Sequence, residues 1–149
     1  MAKYFVYFSI TGNGDFIAQE LEKKGYQPVK IELIKPIKKV GFGMILNYGG
    51  RAMFGKREKI KEITLELQND DLVIVGSPIW NDRLSTPVLT VLDKFAFNKE
   101  STRFILYPAG KETKKSFKQI KKMGFVLEPI VSPYPLKNQE QTIELIKNL

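Results

Sequence analysis

Tyr4-Phe5-Val6-Tyr7-Phe8-Ser9-Ile10-Thr11-Gly12-Asn13-Gly14 is the stretch on which the reading of this chain turns. An apolar, aromatic run passes into two hydroxyls, two glycines and an amide, and helix-forming residues from Asp15 to Lys24 follow. A loop between the carboxyl end of a strand and the start of a helix gathers free backbone N–H groups at the positive end of the helix dipole. Ser9 and Thr11 add hydroxyl donors, and Gly12 and Gly14 let the backbone close around an anion. The stretch therefore reads as a phosphate cradle at a strand–helix junction, with Lys3 to Ser9 as a strand buried on both faces.

Outward from this junction, strands and helices alternate. Gly14, Ile17, Ala18 and Leu21 put one small-to-apolar stripe on a helix that Gly25 ends. Val29, Ile31 and Leu33 alternate with Lys30 and Glu32, which predicts an edge strand over Pro28 to Ile34. Residues 41 to 57 mix Gly41, Gly43, Gly49, Gly50 and Gly55 with aromatic and aliphatic side chains. Gly49-Gly50 inside a helix costs about 1 kcal/mol per residue, so Met44 to Phe54 is expected to be a broken helix plus loop. Its aromatics are then available to a partner. Asp71 to Ser77 is a buried strand that runs into the loop Gly76-Ser77-Pro78-Ile79-Trp80-Asn81-Asp82-Arg83, which carries the single tryptophan. Thr86 is expected to cap the next helix, with Pro87 at its first position and Val88, Val91, Leu92 and Phe95 facing inward.

Arg103 to Tyr107 reads as a strand that ends in Pro108-Ala109-Gly110. A lysine-rich helix follows over Lys114 to Met123, with Phe117 and Ile120 inward. Phe125 to Val131 is a last strand, placed at the other sheet edge by Pro129. A final helix over Asn138 to Asn148 packs through Leu145, Ile146 and Leu149. Strand–helix alternation repeated five times predicts an α/β domain spanning residues 1–149, a doubly wound five-stranded parallel sheet with helices on both faces. Edge character in the second and fifth strands selects the order 2-1-3-4-5. Ligands bind where such a sheet reverses direction, between its first and third strands, and the loops Ser9 to Gly14 and Ser77 to Arg83 both leave from there.

Composition narrows the chemistry. The chain of 149 residues has no cysteine and no histidine, which removes disulfides, thiolate metal sites, thiol catalysis and imidazole acid–base chemistry. Difficult chemistry would need a cofactor, and no catalytic residue is identifiable. No uncharged apolar run nears the roughly 18 residues of a membrane span, and the first residues lack a signal-peptide layout, so a cytoplasmic protein is expected. The net charge is +8. Residues 35–61 carry Lys35, Lys38, Lys39, Arg51, Lys56, Arg57, Lys59 and Lys61 against Glu58 alone, and a second run gathers Lys111, Lys114, Lys115, Lys118, Lys121 and Lys122 against Glu112. Such runs are either solvated surface or an attraction for an acidic protein or a phosphorylated ligand. No recognition helix or aromatic RNA-binding signature accompanies them, which argues against nucleic acid.

Gly12-Asn13-Gly14-Asp15-Phe16-Ile17 misses the dinucleotide pattern G-x-G-x-x-G at its third glycine, although Glu32 stands about twenty residues on. Hydroxyls upstream of the glycines suit a terminal phosphate better than a pyrophosphate. A P-loop is excluded because no Gly-Lys-Ser/Thr follows, and a response-regulator domain because Ser9 and Ser77 stand where carboxylates are needed. Tyr7-Phe8-Ser9-Ile10-Thr11-Gly12-Asn13 and Asp71-Leu72-Val73-Ile74-Val75-Gly76-Ser77-Pro78-Ile79-Trp80, with Pro87 and its helix, resemble the flavodoxin-like proteins. These stretches are similar to that family's S-x-T-G-N-T phosphate loop and G-S/T-P-x-W loop, and the resemblance spans most of the chain. The glycine-rich 41–55 segment is similar to the second crossover of a short bacterial subgroup.

The resemblance implies FMN held without a covalent link. Ser9, Thr11, Gly12, Asn13 and Gly14, with Ile10 between them, would hold the phosphate. Pro78, Ile79, Trp80 and Asn81, following Ser77, would flank the isoalloxazine and bond its edge, and Ala109 and Gly110 would form a third loop. The implied activity is redox: electron transfer with a partner protein, or reduction of a small acceptor. The chain departs from the family at three points. Gly14 replaces a threonine and Asp15 brings in a carboxylate, so weaker phosphate binding is expected, one lost hydrogen bond to a charged group costing about 1.5–3 kcal/mol. The third loop lacks the aromatic that often stacks on the flavin. The charge is basic where classical flavodoxins are acidic, which points to an acidic-surfaced partner. The alternative is a binding or regulatory module of the same fold that has lost FMN and holds a partner through residues 35–61.

Overall fold

The computed structural model describes residues 1–37, 42–110 and 112–149, with the side chains of 42–46 left aside, so the expectations for Lys38, Lys39, Gly41 and Lys111 lie outside the described residues. The elements in chain order are β1 (Lys3–Tyr7), α1 (Asn13–Glu22), β2 (Gln27–Lys30), α2 (Phe42–Met53), β3 (Leu72–Trp80), β4 (Arg83–Leu84), α3 (Thr86–Lys94), β5 (Arg103–Pro108), α4 (Lys114–Lys122), β6 (Ile130–Val131) and α5 (Gln139–Ile146). The parallel strands lie in the order β2-β1-β3-β5-β6, which is the predicted 2-1-3-4-5 arrangement with β5 and β6 as its fourth and fifth members. The fold is flavodoxin-like α/β. β4 is an addition, a two-residue strand paired antiparallel to the end of β3.

The sheet alternates faces residue by residue, and each face meets different helices. Phe5 and Tyr7 of β1 join Ile74, Ile105 and Tyr107 with Ile17, Ala18 and Leu21 of α1 and Ile146 of α5. Val6 and Phe8 join Val73, Val75, Phe104 and Leu106 with Val88 and Val91 of α3 and Ile120 of α4. β1 is in register with β3 from Lys3↔Leu72 to Tyr7↔Gly76. That register presses Gly76 against Phe5: a Cβ there would stand 2.6 Å from Phe5 Cζ.

Several boundaries move from their predicted places. The second strand stops at Lys30, and Leu33 instead forms an isolated antiparallel bridge with Ile60. The connection after α2 thus returns along the sheet edge, with Lys61 N–H donating to Glu32 O at 2.8 Å. The last strand shrinks to Ile130–Val131, because Pro129 cannot donate to a ladder. Phe125, predicted in that strand, is buried by an edge-to-face contact with Phe104 at 4.9 Å. Ser85, not Thr86, precedes the first turn of α3. Leu145, expected to pack, is 44% exposed, and α5 is seated by Ile146.

The glycine-rich segment is the larger correction. α2 runs unbroken from Phe42 to Met53 through Gly49-Gly50. Tertiary contacts outweigh the local propensity. Tyr48 packs on Trp80 with ring centroids 5.3 Å apart, and Ala52 is fully buried. Of the apolar residues near the end of this helix, Phe54 is 74% exposed. Among the described residues no helix is long and apolar enough to cross a membrane.

Asp71, at the entrance to β3, ties the N-terminal residues to the preceding turn. Its carboxylate accepts from Gln68 N–H at 2.8 Å and Ala2 N–H at 2.7 Å. These two bonds hold its carboxyl below the usual range, against the opposing effect of burial. A depressed pKa in the folded state makes this contribution complete above the unfolded-state value near 4 and removes it as pH falls through the folded value. Asp71→Asn is expected to lower the unfolding midpoint at pH 7, and the gap to the parent should narrow as pH drops below about 4. Thermal unfolding across pH 2–8 checks both statements.

Candidate functional site

The loops at the carboxyl ends of β1, β3 and β5 surround a cavity of about 890 Å³. Its wall includes Ser9, Ile10, Thr11 and Asn13 from the first loop, Pro78, Ile79, Trp80 and Asn81 from the end of β3, and Ala109 after β5. This volume lies within the range of pockets that enclose a small organic ligand. Among the described residues no group of three or more acidic side chains is placed to hold a metal ion.

The first loop is built around a left-handed turn. Gly12 has φ +89°, and a Cβ there would come within 3.2 Å of Leu136 Cδ1. Helix α1 starts immediately afterwards. Gly14 N–H donates to Ser9 Oγ at 3.1 Å, and Phe16 N–H donates to Gly12 O at 3.0 Å. The N–H groups of Thr11, Gly12, Asn13 and Asp15 meet no protein acceptor among the described residues. Asn13 Nδ2 donates to Thr11 Oγ1 at 3.2 Å and holds that hydroxyl in place. Unclaimed donors at a helix start, with two hydroxyls beside them, have the chemistry to receive an anion.

Gly14 and Asp15, expected to weaken that receptor, have other work. A Cβ on Gly14 would lie 2.8 Å from Tyr107 Oη and 2.9 Å from both Ser9 Cβ and Tyr7 Cδ2. Glycine is thus the residue that lets α1 approach β1 this closely. The Asp15 carboxylate does not line the cavity: it accepts from Tyr7 Oη at 2.9 Å and pairs with Lys30 Nζ at 2.8 Å. Burial, reinforced by the Asp15 hydrogen bond, pushes the Tyr7 phenol up. Burial likewise raises Tyr107, whose hydroxyl donates to Phe8 O. Both phenols therefore keep their protons at neutral pH and serve as fixed donors.

The second loop is largely strand. β3 extends through Trp80, and Asn81 and Asp82, with φ of 51° and 55°, turn the chain back into β4. Two successive positive φ values are what a tight two-residue hairpin of right-handed twist requires, and Asn and Asp tolerate them. Asp82 also accepts from Lys115 N–H at 3.1 Å, which ties the start of α4 to this turn. Trp80 sits between Phe8, edge-on at 5.8 Å, and Tyr48. Ser77 departs from expectation. It is fully buried, its hydroxyl donates to Pro78 O at 2.7 Å and accepts from Ser85 N–H at 3.0 Å, and it fastens β3 to α3 behind the cavity wall. Gly12, Gly14, Ser77 and Gly110 are absent from the lining, whereas the other nine predicted site residues belong to it.

Tyr48, Gly49, Gly50, Tyr107, Pro108, Tyr134, Leu136 and Lys137 also line the cavity and were not foreseen. For Tyr48 the signal was its place in the glycine-rich run. Tyr107 and Pro108 directly precede the predicted Ala109. The 134–137 stretch gave no local signal, because only the sheet order brings it beside Gly12.

No protein-family model matches the chain, and no curated protein sequence does. Solved structures share its fold. A flavoprotein from Lactobacillus acidophilus, determined in complex with FMN, superposes with a TM-score of 0.68 at 18% identity, covering 93% of this chain and 97% of that one. A Bacteroides uniformis protein assigned to the flavoproteins gives 0.72 at 15% identity, covering 98% and 97%. A further such protein, from Bacteroides eggerthii, gives 0.67 at 17%, covering 96% and 98%.

The packing at Gly14 makes one substitution diagnostic. Gly14→Thr brings the loop closer to S-x-T-G-N-T but inserts a branched side chain where a Cβ already collides. Overpacking of this kind costs about 1–3 kcal/mol, and each kcal/mol moves the midpoint of a domain this size by roughly 2–4 °C. Circular-dichroism melting of Gly14→Thr should show a midpoint lower by several degrees; an unchanged midpoint contradicts the packing described.

Proposed function

We propose that this chain binds FMN without a covalent link in the cavity beyond β1, β3 and β5, and works as a redox protein that exchanges electrons with a partner protein or a small acceptor. The observation that carries this reading is the set of unclaimed N–H groups at Thr11, Gly12, Asn13 and Asp15 beside the Ser9 and Thr11 hydroxyls, of which Ser9, Thr11 and Asn13 line the cavity. It is a receptor for a terminal phosphate that opens into a cavity walled by aromatic side chains. The FMN-bound Lactobacillus acidophilus structure, of like fold, supports it.

The residues present fit the group. Ser9 Oγ accepts a hydrogen bond from Gly14 N–H and keeps its own O–H to donate to an anion. Thr11, steadied by Asn13, offers a second hydroxyl. Pro78, Ile79 and Trp80 present an apolar and aromatic surface at the end of β3, and Asn81 brings amide and backbone polarity to its tip. Tyr48 packed on Trp80 shields that side from water. When bound, FMN supplies the electron-accepting chemistry that a chain without cysteine or histidine lacks. The protein's part is to bind, to orient and to exclude solvent.

Purified protein titrated with FMN should quench flavin fluorescence and perturb its visible bands. Riboflavin, which lacks the phosphate, should bind at least about tenfold more weakly, since one hydrogen bond to a charged group is worth roughly 1.5–3 kcal/mol. Unquenched FMN at micromolar protein would sink the proposal. Equal affinity for FMN and riboflavin would remove the phosphate receptor from it.

A further inference from the structure

Resting on the FMN reading, we infer that residues 133–138 form a working wall of the cofactor site, in which Tyr134 supplies the aromatic surface that the third loop lacks. The segment Pro133-Tyr134-Pro135-Leu136-Lys137-Asn138 connects β6 to α5 and lies far in sequence from the loops that surround the cavity. It is nevertheless tied to two of them. Leu136 N–H donates to Asn13 Oδ1 at 3.1 Å in the first loop, and Tyr134 Oη donates to Ala109 O in the third. Tyr134, Leu136 and Lys137 all line the cavity.

The local chain is shaped to present this tyrosine. Pro135 follows it in a turn closed by Lys137 N–H donating to Tyr134 O at 2.9 Å, and Asn138 Nδ2 donates to Pro133 O at 2.9 Å. Tyr134 itself has φ +44°, a left-handed backbone that a bulky residue rarely takes. Strain of this kind persists where the surroundings over-determine the position, and it gathers at ligand sites. The ring is anchored by its hydroxyl yet leaves Tyr134 38% exposed, unlike an aromatic used as core filling. Lys137 Nζ stands 5.1 Å from the ring centroid. The segment therefore offers an aromatic surface and a positive charge together, which suits a planar ring system that carries an anionic group. The third loop, Pro108-Ala109-Gly110, has no aromatic of its own and receives one through the bond to Ala109.

The test compares Tyr134→Asn, Tyr134→Phe and Tyr134→Trp by FMN titration, visible spectra and melting of the FMN-free proteins. Asparagine tolerates the left-handed backbone, so Tyr134→Asn removes the ring without reshaping the turn. Its FMN affinity should fall about tenfold or more, the order of one lost stacking contact, with a melting midpoint close to the parent's. Tyr134→Phe keeps the ring and should bind within a few-fold of the parent. Tyr134→Trp should alter the visible bands of bound FMN. FMN bound equally well by parent and Tyr134→Asn overturns this inference and leaves the FMN reading standing, and so does an unchanged Tyr134→Trp spectrum if the asparagine variant melts early. A parent that binds no FMN overturns both.

Discussion

Helix α1 can rest on the end of β1 only because position 14 has no side chain. Tyr107 Oη, Ser9 Cβ and Tyr7 Cδ2 all converge within 2.9 Å of where a Cβ would be. The consequences spread from that contact. It brings the Gly14 N–H within reach of Ser9 Oγ, fixes where the helix begins, and so fixes which N–H groups remain for an anion. It also brings Asp15 over Tyr7 and Lys30, which turns a carboxylate that would oppose an anion into a strut between α1, β1 and β2. Close packing and electrostatics are here one constraint, since relaxing the first would release the second.

The sheet order was legible because each strand's environment is written in its residue pattern. Near-continuous apolar runs at Tyr4 to Phe8 and Leu72 to Val75 marked central strands, and alternation around Val29 marked an edge. The first loop and the Trp80 stretch were legible as neighbours at one cavity, because both leave the carboxyl ends of the two central strands where the sheet reverses direction. Ser77 shows the limit of that reasoning. A hydroxyl at a predicted site position turns inward when a second hydroxyl, Ser85, lies opposite it across the hairpin. That meeting depends on the Asn81-Asp82 turn, which was read only as loop.

Tertiary contacts override local pattern at two further places. Gly49-Gly50 predicted a break, but Tyr48 on Trp80 and Ala52 in the core hold α2 together from outside the helix. The strand around Phe125 was read from apolar content, yet Pro129 shortened the ladder and the phenylalanine was buried by an aromatic neighbour instead. Tyr134 and Leu136 were invisible for a different reason. They have no motif, and they reach the cavity through contacts with residues 25 and 123 positions away.

The shortness of β6 has a bearing on how the domain breathes. Two ladder residues, Ile130 and Val131, hold this strand to β5, with Ser132 N–H on Leu106 O and the Ser132–Thr142 hydroxyl pair just beyond. The central strands are locked on both sides over far longer registers. Opening free energies in a native protein follow such differences, so the edge carrying residues 133–138 belongs to the low end of the local-unfolding spectrum and β1 and β3 to the high end. Amide exchange along the chain would then be graded from the edge inward.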